Sequence, residues 1–266
     1  MSGFAVPRAW QLFGKWAGLV TLGLIYFALV WLAVMSFSRD PMSGIPTGIT
    51  IEHYAELFAG TRWLMPLIAS LAIGVLVGLF VMVVATVVGR VAPRSPIVGR
   101  IVLLSLLPLF IPGIALGASL FIFLRMILGL SLGFWSIFIA HAVWAFPFSF
   151  LLVLVLTTRF DYRLLEAAAD LGASKWRMFW DIEMPLLRPA VIGAGIFGFL
   201  VSFNEGQRAI FLHGNATTLP IWNWIMASWK KSQLPIIISL ERLFLAVVMP
   251  LLAATFWTMM VRLEKD

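Results

Sequence analysis

The 266-residue chain contains no cysteine, which excludes a disulfide framework, a thiolate nucleophile and a zinc–thiolate site. Its three histidines, His53, His141 and His213, are scattered, so no His-rich metal site is expected. Charge is scarce as well. Charged residues make up 12% of the chain, where a soluble domain carries about a quarter, and that shortage excludes an ordinary soluble fold. Nucleic acid is not an expected partner either: the formal charge of +7 is spread over a sequence that is 62% hydrophobic, which no soluble DNA-binding module resembles.

What is abundant is long apolar sequence. A hydrocarbon core of about 30 Å takes roughly 20 helical residues, and five stretches free of Asp, Glu, Lys and Arg meet that need. They are Ala17 to Phe37, Trp63 to Gly89, Ile101 to Leu124, Met126 to Thr158 and Leu243 to Val261. A sixth begins at Pro189 and is interrupted by Glu205 and Arg208. The fold class expected is therefore all-α, a polytopic membrane protein with six transmembrane helices. The first stretch is too long for a usual signal-peptide core and lacks a clear small-x-small site after it.

Lys and Arg beside each span set the orientation, because cytoplasmic loops keep the positive excess. With the N-terminus inside, the inner segments hold Arg8, Lys15, Arg90, Arg94, Arg100, Arg159, Arg163, Lys175, Arg177, Arg188, Arg262 and Lys265. The outer ones hold only Arg39, Arg62, Arg125, Arg208, Lys230, Lys231 and Arg242. Both termini are thus expected in the cytoplasm. Residues 1–16 read as a cytoplasmic or interfacial segment, with Trp10, Phe13 and Trp16 around Lys15 forming either a surface-lying helix or an aromatic belt. Residues 17–266 read as one membrane domain with its core at 63–261. In the first outer loop, Ile51 to Ala59 suits a short surface helix.

Several apparent motifs carry no chemistry. Gly193-Ala-Gly-Ile-Phe-Gly198 matches G-x-G-x-x-G, but no strand precedes it and no acidic residue follows at the dinucleotide-binding distance. These glycines, with Gly74/Gly78 and Gly113/Gly117, are instead expected to be close-packing positions between membrane helices. Gly129-Leu-Ser-Leu-Gly133 mimics a nucleophile elbow without the α/β sheet that makes one work. No phosphate-binding P-loop occurs. His141, flanked by Trp144 and Phe146, is expected to be a packed, hydrogen-bonded residue rather than a ligand.

The one long hydrophilic inner segment, residues 160–185, is built as helix, corner, helix. Asp161 can cap a helix from Tyr162 to about Asp170, with Gly172 as its left-handed stop; Ser174 then caps a second short helix that Pro185 is expected to end. Leu164, Leu165, Ala168 and Leu171 form a stripe on the first helix. A short helix with small residues on its surface suits a partner's groove.

Glu166-Ala167-Ala168, three residues, Gly172, nine residues, Ile182, one residue and Met184-Pro185 resemble the EAA loop of type I ABC importer permeases, with Met184 replacing a leucine. The resemblance implies that Glu166, Ala167, Ala168 and Gly172 dock against an ATPase subunit, and that Ile182 and Pro185 anchor the return to the bilayer. It further implies two copies of an ABC ATPase, a second permease subunit, identical or homologous, and an extracytoplasmic solute-binding protein, all at a bacterial inner membrane. ATP and Mg would lie on the ATPase, leaving no cofactor, no metal and no catalytic residue on this chain.

The interrupted span, Phe197 to Arg208, and the following run to Pro220 resemble permeases of the spermidine/putrescine class. In that reading Ser202, Asn204 and Glu205 line the substrate pathway, with Trp222 and Trp224 as aromatic walls and Glu205 as counter-charge to a polyamine-like cargo. Arg208, three residues on, can instead neutralise Glu205 on a helix; ferric ion, thiamine, phosphonate or opine-like compounds then remain as alternatives. An ion-coupled secondary transporter would show inverted repeats and several intramembrane acids, and a membrane enzyme an interfacial His, Cys or acid cluster. The sequence has neither pattern.

Overall fold

A computed structural model describes residues 7–229 and 231–263; Lys230 and Lys265 lie outside the described residues. The described chain is helical, with Ser38–Ile49 its one β-type bridge. Two compact units form, residues 62–225 and residues 1–61 with 226–266.

In the terminal unit, α1 (Arg8–Met35) runs unbroken. Trp10, Phe13 and Trp16 therefore stand on its first turns rather than on a separate surface helix, and Trp10 meets Phe13 edge to face at 6.2 Å. Few of its side chains are covered, from Trp10 at 67% exposure to Phe27 at 61%, as suits a helix apolar all round. The next helix, α2 (Glu52–Ala59), buries Leu57 and packs on α11 (Leu234–Leu263). Between α1 and α2 the loop is tied by Ser36 Oγ with Tyr54 Oη at 2.7 Å and by the His53 ring with the Ser38 carbonyl at 3.0 Å.

The central unit is built on α3 (Leu64–Val91), α6 (Phe134–Thr158) and α9 (Met184–Phe203), which pack on one another. Ile73, Val77 and Val81 of α3 meet Ile137 and Ala145 of α6 in a fully buried core. Small residues let the helices approach. A side chain at Gly78 would strike the Gly195 carbonyl, and one at Gly198 would strike Val81, so these glycines serve the close contact that association in lipid depends on. Gly193, by contrast, faces open space and is not a packing position.

The third apolar stretch is not a straight span. α4 (Val98–Leu106), extended by one tight turn through Phe110, meets α5 (Gly113–Phe121) at a bend of 99°. Pro112 causes it: proline drives the preceding residue out of helical geometry, and Ile111 is extended at φ −94°, ψ 123°. Four helical stretches, 10–35, 64–94, 134–158 and 175–203, are long and apolar enough to cross a membrane, and the bent pair makes a fifth if both limbs cross as one. The chain is thus a multi-span, all-helical membrane protein.

Candidate functional site: the loop base and the broken helix

The hydrophilic loop folds from local signals. Asp161 Oδ1 accepts the Arg163 N–H at 3.0 Å, which opens α7 (Arg163–Asp170). At its other end the Ala173 N–H donates to the Ala168 carbonyl at 3.0 Å and the Gly172 N–H to the Ala169 carbonyl at 2.9 Å. This double bond pattern needs a left-handed residue at the corner, and Gly172 supplies it at φ +81°. Ser174 Oγ then accepts the Arg177 N–H at 3.3 Å and starts α8 (Lys175–Met178).

Pro185 does not end that second helix. α8 passes through one widened turn, Phe179–Glu183, directly into α9. A proline lacks an N–H and crowds the carbonyl one turn back; a wide turn immediately before it takes up both defects and lets helical chain continue. α8 and the long helix α9 are therefore joined with no loop between them.

The expected apolar stripe on α7 is only partly covered. Leu165 and Ala168 are half-buried, while Leu164 is 47% and Leu171 90% exposed. Glu166, Ala167 and Gly172 are exposed beside them, and Ile182 is half-buried. Glu166 also lines a recess of 490 Å³ with Arg94, Tyr162, Leu165 and Ala169. Leu164 and Leu171 thus stand open next to small residues on this helix and its corner.

Sequence reasoning missed what holds this loop. Glu183 is buried, its side chain 4% exposed, and both its oxygens are taken by Arg90 from the end of α3: Nε donates to Oε1 at 2.7 Å and Nη2 to Oε2 at 2.5 Å. Such a two-pronged pair is among the stronger hydrogen-bonded arrangements. The Arg90 guanidinium also lies over the Phe179 ring at 4.4 Å. Arg94, one turn on, lies over Tyr162 at 4.1 Å and 3.9 Å from Glu183. The sequence signal was present, an acid flanked by apolar residues at the bilayer edge, but its partner stands 93 positions away.

At the far end of α9 the helix stops at Phe203 and residues 204–218 form an irregular segment. Glu205 and Arg208 are both buried there. Glu205 Oε1 accepts the Arg208 N–H at 2.9 Å, and Oε2 accepts Arg208 Nη1 at 2.5 Å. The guanidinium lies 3.5 Å over the Trp144 ring. Gly113 leaves room for that guanidinium, and Gly117 lies against the Arg208 carbonyl. Of the two readings of Glu205, the neutralised pair is the one this geometry displays.

Around it, Ser202 Oγ shares a 2.9 Å hydrogen bond with His141 Nδ1, so His141 is packed and bonded. Ser70 Oγ accepts the Leu219 N–H at 2.8 Å, and Ser136 Oγ donates to the Leu212 carbonyl at 2.7 Å; these pin the irregular segment, whose backbone lacks helical partners. Asn204 Nδ2 turns back to its own helix, donating to the Leu200 carbonyl at 2.9 Å. On α10 (Leu219–Trp229), Trp222 is buried and Trp224 is 49% exposed. Two residues apart on a helix, the side chains leave it about 160° apart and do not make one wall.

No protein-family model matches the chain. It is 28% identical over 205 residues to the spermidine/putrescine transport system permease protein PotC of Haemophilus influenzae, covering 73% of this chain and 76% of that one. It is 26% identical over 254 residues to the putrescine transport system permease protein PotI of Escherichia coli, covering 91% and 88%. The trehalose/maltose transport system permease protein MalG of Thermococcus litoralis is also 26% identical, over 249 residues. Among solved structures, a chain of a bacterial ABC transporter involved in the import of the acidic polysaccharide alginate superposes with TM-score 0.65, covering 95% of this chain and 99% of that one at 17% identity. That last likeness concerns the fold. In sequence the chain is similar to permease proteins of polyamine and sugar transport systems, and in fold to a chain of a bacterial ABC transporter.

Proposed function

We propose that this chain is the membrane-spanning permease subunit of an ATP-driven importer in a bacterial inner membrane, moving a small polyamine-like solute received from an extracytoplasmic binding protein. The observation that carries this reading is the pairing of sequence kinship to PotC and PotI with the loop at residues 160–185. The chain crosses six times with both termini in the cytoplasm: the four long helices, the bent α4–α5 pair and α11. It pairs with a second permease, and two ATPase subunits hold the nucleotide.

Mechanically, the uncovered face of α7, with Glu166, Ala167, Ala168 and Gly172, sits in the ATPase. Closure of the ATPases on ATP moves the loops. Because α8 runs into α9 without a break, and Ile182 and Pro185 lie at that passage, loop displacement rotates the helix that ends at the Ser202–Glu205 break. Polar groups breaking an apolar span mark a transport route, so Ser202, Asn204 and Glu205 lie along the pathway, and Trp222 and Trp224 flank it separately.

A second cargo reading has a specific observation in its favour. The Glu205 carboxylate is occupied by Arg208, which leaves no free counter-charge here for a polycation, and a solute that bears anionic groups, such as an opine-like or phosphonate compound, needs none. Uptake of spermidine, putrescine and these alternatives into vesicles containing the purified complex distinguishes the two. Failure of an ATPase subunit to co-purify with the chain, or unchanged coupling in Gly172→Pro and Glu166→Lys variants, would overturn the importer reading itself.

A further inference from the structure

The widened turn Phe179–Glu183, whose hydrogen bonds follow the rare i to i+5 pattern, lies between the docking helices and the span. Arg90 contacts its first and last residues together: the Phe179 ring by stacking and the Glu183 carboxylate by two hydrogen bonds. Arg94, at the same end of α3, stacks on Tyr162 at the entry to α7. One helix end therefore grips both stems of the loop. A push on α7 or α8 that met no such grip would be absorbed by opening the wide turn or splaying the stems.

We propose that Arg90 and Glu183 form a coupling clamp, a positioning pair that stiffens the wide turn and makes α3 move with the loop, so that ATPase motion reaches α3 as well as the covalently joined α6 and α9. This rests on the reading of residues 160–185 as the ATPase-docking loop. Lysine cannot replace Arg90 in this role, since a point charge gives neither the two-pronged bond nor the flat stack.

The test uses the complete transporter in vesicles, reading ATPase co-purification, ATP hydrolysis and solute moved per ATP hydrolysed. Glu183→Gln and Arg90→Lys are expected to keep the ATPase bound and hydrolysis near the wild-type rate, while solute moved per ATP falls roughly three- to thirty-fold, the range typical of lost coupling contacts. A wild-type ratio in both variants overturns the clamp. Glu166→Lys separates the two ideas: if it too leaves assembly and hydrolysis unchanged, the docking reading has failed rather than the clamp.

If a single variant does not assemble, Arg90→Met/Glu183→Leu removes both charges at once. Full coupling in that double variant shows a merely structural pair and overturns the proposal; assembly with a low ratio supports it. A measurement with the pair intact decides independently. The chain has no native cysteine, so spin labels at Val91→Cys and Trp176→Cys, both exposed positions, report the distance between α3 and α8. A distance constant between nucleotide-free and ATP-trapped states is expected; a change of several ångströms sinks the clamp.

Discussion

Two arginine–glutamate pairs stand at opposite ends of α9, and they solve different problems. Glu205 and Arg208 are three residues apart and both buried, with Arg208 over the Trp144 ring; they neutralise each other within a few residues of chain and fix an irregular segment. Glu183 and Arg90 join distant parts of the chain, with Arg90 still 29% exposed; they fasten one element to another. The same two side chains, each with an aromatic ring beneath the guanidinium, therefore make a local plug in one place and a long-range tie in the other. Burial and separation in sequence, not residue type, decide which.

The comparison predicts its own largest effect at the plug. Glu205→Gln leaves the Arg208 charge buried without a partner, which costs about 3–5 kcal/mol, and the unfolding midpoint in detergent should fall sharply. Glu205→Leu/Arg208→Met removes both charges and is expected to restore most of that stability. Uptake by the restored protein then decides the role of Glu205: retained polyamine uptake fits a structural plug, whereas a stable double variant that no longer transports polyamine makes Glu205 a cargo contact. At the tie the same isosteric change, Glu183→Gln, should cost less, about 1.5–3 kcal/mol, because water reaches Arg90 when its partner is weakened. Equal losses at the two sites by thermal unfolding would erase the distinction.

The two regions also differ in how far they could be read from sequence. Gly172 was legible because a helix stop is set by residues within one turn of it, and the Glu205–Arg208 pairing because residues three apart stay within reach of each other, here in irregular chain beyond the end of α9. Arg90–Glu183 was not, since nothing local links position 90 to position 183, and Glu183 falls at an unconstrained position of the loop pattern. Pro185 was misread as a terminator because a wide turn can absorb a proline, and such turns leave no composition signal. The 99° bend had one: Pro112-Gly113 in the middle of an apolar run. Run length alone hid it, as it also hid that α1 starts before Lys15.

Ahead of both ends of α9, the loop turns at Gly172, the corner that orients the face proposed for docking. Gly172→Ala places a side chain at φ +81°, where a left-handed L-residue costs about 1–2 kcal/mol. Nothing lies within 4 Å of a methyl group there, so the cost is conformational and not steric. ATPase stimulation should drop while the unfolding midpoint of the membrane core stays near wild type. A Gly172→Asn variant, which tolerates left-handed geometry better, should recover part of the stimulation.

The smallest effect tests whether the glycines of α9 are one motif or several independent contacts. Gly198 and Gly193 are five residues apart on the same helix, but a methyl group at Gly198 collides with Val81, while one at Gly193 meets nothing. Gly198→Ala should therefore destabilise by about 1–3 kcal/mol through overpacking. Gly193→Ala should stabilise by about 0.5–1 kcal/mol, because alanine loses less backbone freedom on entering a helix. Opposite signs in paired unfolding measurements establish that the G-x-G-x-x-G spacing here is a by-product of helix packing at particular neighbours. A shared sign would mean that residue 193 has a partner outside this chain, and the second permease subunit would be the first place to look.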